Sequence, residues 1–174
     1  MHYFVRNWGA YDVYKLMDVV QYHPTRFLEL NQFELALSYE CWDGVDENGD
    51  QFVFSPNDLL GYKVYDQDHW ERVVNADMYY PIIALDQYTG PSFLTEPRTI
   101  DDLLAKVEGR YDVLDGMHRL SKAKMMGMSH IPVKVVTWDE IQIAKINNLN
   151  QFIMKFLLGS VVRSGDGFKS VALE

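Results

Sequence analysis

The stretch VLDGMHRLSKAKMMGMSHIPVKVV, Val113–Val136, constrains the fold more than any other part of the chain. Its hydrophobic period changes twice. An apolar run reading YDVLD ends in Asp115-Gly116, as a strand does. Leu120, Ala123 and Met126 then recur at helical spacing, and Gly127 supplies a helix stop. IPVKVVT follows as a second strand. A strand, a helix and another strand in about two dozen residues require helices layered on a sheet, so the fold class is α/β or α+β.

The rest of the chain extends that pattern. VYKLMDVVQY, Val13–Tyr22, reads as a strand ended by Pro24. Asn31 with Glu34 three residues later suits a helix start. DENGD, Asp46–Asp50, reads as a turn, QFVFS as a short strand, and Ser55-Pro56 as a cap and first position of a helix. Asp66–Met78 carries Trp70, Val73, Val74 and Met78 near helical spacing, and YYPIIALDQ reads as a buried strand. Thr99 is placed to cap a short helix, IDDLLAKV. Thr137 and Glu140 form a capping box for a long final helix, about 138–158, with Ile141, Leu149, Phe152, Ile153 and Phe156 on one stripe. The expected organisation is a single mixed-sheet domain over 1–158, with an insertion at about 31–65 and a tail at 159–174.

Charge and cysteine content narrow the function. The 25 acidic and 16 basic side chains leave a net charge of −9, which argues against a non-specific nucleic-acid binder. It leaves room for a local basic pocket, and for an acidic surface that engages a protein partner. Cys41 is the one cysteine, so neither an internal disulfide nor a cysteine zinc site can form. The N-terminal MHYFVRNWGA has no apolar signal core and no apolar run approaches 18 residues, which together read as a soluble cytoplasmic protein. DGVDENGD fails as a calcium loop: with Gly49 as sixth residue, the first and twelfth would be Gly44 and Ser55.

The chemistry concentrates at the Asp-Gly-Met-His-Arg turn. A helix N-terminus offers unpaired N–H groups and partial positive charge to an anion. Gly116 allows close backbone approach, Arg119 can grip a phosphate, His118 can donate a hydrogen bond or relay a proton, and Asp115 can take a hydroxyl proton or hold magnesium. Met117, Ser121 and Lys122 would complete the cradle. The same residues also suit a plain helix start, with Asp115 as cap and Arg119 answering it four positions on. His69, ahead of Trp70, is assigned to the surface or to packing.

The run Val113–Val136 resembles the signature of the ParB/sulfiredoxin superfamily: a strand, Asp-Gly-x-His-Arg, a small-residue helix, Gly, and a Pro-containing strand. HPTR, His23–Arg26, resembles that family's Pro-containing loop, and YYPIIALD, Tyr79–Asp86, its Pro-Ile-Val strand. The resemblance implies a nucleotide (ATP, ADP or CTP) bound at the turn with Mg2+, with Thr25 and Arg26 as further phosphate contacts. Sulfiredoxins carry a catalytic cysteine where this chain has Met117, so reductase activity is not implied. Chromosome-partitioning members add a helix-turn-helix, for which no second recognition helix is evident here. The LDGMHRL turn is also close to the Asp-Gly-His-His-Arg of free-serine-type kinases. Those kinases place a glutamate after Pro-Thr, where Arg26 stands here and Glu29 lies three residues on. The expectation is a nucleotide-dependent phosphotransferase or nucleotide hydrolase, with Asp115 and His118 catalytic and an unidentified small-molecule acceptor. The alternative is a non-catalytic nucleotide-sensing regulator with a protein partner or as a homodimer, and nuclease activity is the weakest of the three.

Overall fold

The computed structural model describes residues 9–46, 48–90 and 111–146, together with the backbone of 3–6. Its centre is a four-stranded mixed sheet of β3 (Arg26–Glu29), β8 (His130–Val136), β6 (Ile82–Asp86) and β7 (Tyr111–Asp115), in that spatial order. β6 and β8 run parallel, and the other two pairings are antiparallel. Two small antiparallel ribbons accompany it, β1 (Tyr3–Arg6) with β2 (Gly9–Asp12), and β4 (Trp42–Val45) with β5 (Gln51–Phe54).

The apolar runs at 82–86 and 111–115 are continuous because both faces of the sheet are covered. Along β6, Ile82 and Ala84 face one core with Val113, Leu120, Ala123, Ile131 and Phe33. Ile83 and Leu85 face a second core with Leu16, Val20, Leu114 and Ile141. The first core is covered by α2 (Glu34–Ser38) and α5 (Met117–Met125), and the second by α1 (Val13–Val20) and α6 (Trp138–Ile143). A third cluster, Trp42, Phe54, Leu59 and Val73, joins the β4–β5 ribbon to α3 (Pro56–Leu60) and α4 (Gln67–Asn75). The segment read as an insertion thus supplies core residues, Phe33 and Leu37 among them.

Several local expectations hold. Ser55 and Asp58 form a reciprocal capping box at α3, and Thr137 and Glu140 do so at α6. Gly127 closes α5 at φ +66, with Met128 N–H donating to the Ala123 carbonyl and Gly127 N–H to that of Lys124, a Schellman arrangement. The Asp46 carboxylate accepts from the N–H groups of Asn48 and Asp50, as a solvated turn requires.

Three expectations are corrected. Within the run Val13–Tyr22, Val13–Val20 is helical and the last two residues are a turn: Asp12 accepts from the N–H groups of Tyr14 and Lys15, and Val13, Leu16 and Val20 form a buried helical stripe. The capping bonds and that stripe outweigh the β-branched content that suggested a strand. Asn31 does not cap α2; a 3-10 turn, Leu30–Phe33, leads into it, and Glu34 instead reaches Lys124 at 2.6 Å. The final helix stops at Ile143, because Lys145 bridges to Tyr11 and Ile146 N–H donates to the Ala10 carbonyl, so strand-like pairing captures the chain. The remainder of that expected helix and the Thr99 helix lie outside the described residues.

Candidate functional site

β7 and α5 meet at Gly116, and one glycine performs two tasks there. Its φ of +95 is a conformation that L side chains rarely adopt. A Cβ on it would also stand 2.8 Å from Arg119 Nη2 and 2.8 Å from Ile82 Cγ2. The pairing register shifts just before this point: Ile83 opposes Asp115 and Ala84 opposes Val113, so Leu114 is the extra residue of a bulge. Bulges turn the end of a strand, and this one precedes Asp115.

Asp115 does not cap α5, whose first turn carries no side-chain cap. It pairs instead with Arg119, Nη2 to Oδ2 at 2.6 Å, while Nη1 donates to the Pro81 carbonyl at 2.9 Å. Both side chains are largely buried, at 17% and 18% exposure, so the guanidinium is held rigidly beside the helix start. The N-terminal turn of α5 opens into a cleft of about 1120 Å³ between β6, β7, α1 and α4. Asp115, Gly116, Met117, His118 and Arg119 all line it. Arg72 and Lys134 add cationic groups to the wall, and Met17, Val20, Tyr80 and Ile83 add apolar surface. Among the described residues Arg72 is bound only to Asp68, in an exposed pair that costs little to break. Lys134 is more committed, donating to the carbonyls of Val20 and Gln21 at the end of α1.

Not every expected cradle residue is there. Ser121 is fully buried and donates back to the Met117 carbonyl. Lys122 donates to the carbonyls of Val74 and Ala76, closing the end of α4. Thr25 and Arg26 are exposed, with Arg26 on β3 at the opposite edge of the sheet from β7. None of these four lines the cleft.

No family model matches this chain, and neither a curated protein nor a solved structure matches it.

His118 shows what the sequence did not signal. Its Nε2 lies 3.0 Å from Nδ1 of His69 on α4. Both rings lie flat against the indole of Trp42, at centroid distances of 4.8 and 4.6 Å and interplanar angles of 12° and 22°. Burial, then the neighbouring His69 and Arg72, push the His118 pKa down to about 4, and burial also lowers that of His69. Both rings are therefore neutral near pH 7, and the bond between them joins one N–H to one lone pair. Trp42 and His69 arrive from elements distant in sequence, so no local motif could have announced them.

Among the described residues, no three His, Cys, Asp or Glu side chains form a metal-ligating group. Asp115 is the carboxylate at the turn that would face a magnesium ion brought in with a phosphate. Among the same residues, no helix is long and apolar enough to cross a membrane.

Proposed function

We propose that the cleft binds a nucleoside di- or triphosphate, with phosphate at the N-terminal turn of α5, and that the chain transfers or hydrolyses that phosphate. The observation that carries the reading is the uncapped turn after Gly116, opening into a cleft beside the anchored Arg119 guanidinium. Free N–H groups, the helix dipole and a fixed guanidinium are the elements of a phosphate site. Arg72 can leave its exposed partner to join them. The apolar wall of Met17, Val20 and Tyr80 suits a base or sugar face. The resemblance to the ParB/sulfiredoxin superfamily at the same turn adds weight, because that likeness also implies ATP, ADP or CTP there.

The chain's own contribution would be positioning and charge stabilisation, the main protein role in phosphoryl transfer. Magnesium bound with the nucleotide would neutralise developing negative charge. Arg119 and the α5 N–H groups would orient the phosphates, and neutral His118 would meet the transferring group. Asp115 would need to loosen from Arg119 to serve as base. That pairing favours a second reading, in which the cleft senses a nucleotide without consuming it.

Thermal melts of the wild-type chain against ATP, ADP and CTP, with and without Mg2+, test the proposal. A ligand at about 100 times its Kd stabilises by about 2.7 kcal/mol, and Arg119→Ala should lose most of that response. No shift with any nucleotide would overturn nucleotide binding. A shift without magnesium-dependent nucleotide consumption would select the sensing role.

A further inference from the structure

The ring of His118 has one nitrogen left for a ligand, and we infer that His69 is a positioning residue whose tautomer is coupled to whether this nitrogen donates or accepts. The inference rests on the proposed role of His118 at the phosphate. Nδ1 of His69 and Nε2 of His118 are 3.0 Å apart, and the planes of the two rings are within 16° of parallel. Their centroids are 5.2 Å apart, as an in-plane hydrogen bond between imidazoles requires. Trp42, only 6% exposed, lies under both rings, and Phe54 meets His69 edge-on at 5.4 Å and 90°. Neither ring can tilt out of its plane without breaking the stack.

Two neutral imidazoles so arranged share one proton, and their tautomers are complementary. When His69 carries its proton on Nδ1, Nε2 of His118 must accept, and Nδ1–H of His118 becomes a donor for a phosphate oxygen. When His118 carries its proton on Nε2, its Nδ1 is a bare acceptor and the proton of His69 moves out to Nε2. No other pairing of neutral rings makes the bond. The state His118 presents to the cleft is thus coupled to the tautomer of a residue that does not line it.

The test uses the whole chain with 15N-labelled histidine, comparing wild type, His69→Phe and His69→Asn. Phenylalanine keeps a flat ring on Trp42 and removes the hydrogen bond. Asparagine keeps a polar group near the position of Nδ1. Wild-type His118 should give one protonated-type and one bare-type ring nitrogen at pH 7. His69→Phe should average both signals toward intermediate shifts, and His69→Asn should restore the separation. Unchanged His118 signals in His69→Phe, with a native backbone spectrum, would overturn the inference.

With Mg·ATP as the probe, His69→Phe should lower kcat by about tenfold to a hundredfold with KM within about twofold, and His69→Asn should recover most of it. A kcat equal to wild type in His69→Phe would also overturn it. If the wild type turns over no nucleotide, the phosphoryl-transfer reading fails while the tautomer result still decides the role of His69.

Discussion

The glycine at the strand-to-helix junction allows the energetics of the site to be measured against an internal standard. Gly116 and Gly127 flank α5, and both have positive φ, +95 and +66. A Cβ on Gly127 would meet nothing within 4 Å, so Gly127→Ala pays backbone strain alone, about 1 kcal/mol. A Cβ on Gly116 would meet Arg119 Nη2 and Ile82 Cγ2 at 2.8 Å and Arg119 Nε at 2.9 Å. The guanidinium must then leave Asp115 and Pro81, and losing a charge-assisted hydrogen bond adds about 2 kcal/mol. Gly116→Ala should therefore cost about 3 kcal/mol in all, lowering Tm by about 10 °C for a chain of this size. Urea denaturation of both variants, and of each in an Arg119→Ala background, checks this. Removing Arg119 should lower the Gly116→Ala cost by the guanidinium's share, about 2 kcal/mol, leaving backbone strain and the Ile82 contact, and should leave the Gly127→Ala cost unchanged. A Gly116→Ala cost that is the same with and without Arg119 would refute the claim that the guanidinium is locked against this turn.

Other outcomes follow from the same contacts. The folded-state pKa of His118 lies below its ordinary 6.5, at about 4, so the unfolded chain takes up that proton first and stability falls as pH drops from about 6.5 toward 4. Discounted for the ring's partial exposure, the loss should be about 1–2 kcal/mol, and urea midpoints at pH 7.5 and 4.5 should show it shrinking in His118→Phe. Lys122→Met should cost about 1–2 kcal/mol in the same assay, by leaving the Val74 and Ala76 carbonyls at the end of α4 without their ammonium, and should leave nucleotide response intact. Trp42→Ala should destabilise by about 3 kcal/mol and release both histidine rings, visible as sharpened imidazole signals.

Legibility in the sequence followed the range of the forces involved. The buried strand IIALD was evident because coverage on both faces leaves no polar alternation to obscure it. Ser55-Pro56, Thr137 with Glu140, and Gly127 were evident because each acts within a few residues. Val13–Val20 reads as a strand because β-branched residues on a helix face look like one until the Asp12 cap is counted. Lys122 looked like a phosphate ligand by position on its helix, but the open end of α4 takes its ammonium. The strand–glycine–helix turn and its Asp115–Arg119 pair were readable at a spacing of four. The His69–His118 bond spans 49 positions and depends on an indole from a third element, so only folding reveals it.

The seam between β3 and β8 carries a consequence for how the chain is made. Among the described residues β3 pairs only with β8 in the sheet, and the links beside that pairing are equally long-range. His23 Nδ1 meets the Val135 carbonyl across 112 positions, and Lys134 donates to the Val20 carbonyl across 114. During synthesis α1 and β3 emerge well before the strand that holds them, with the unpaired edge of β3 and the exposed ring of Phe27 open to other chains. Closing so large a loop is slow, and β8 also supplies the parallel neighbour of β6. Arrest of the ribosome before β8 would strand a sheet without its seam, exposed to chaperones and proteases: the part made late is what fixes the part made early.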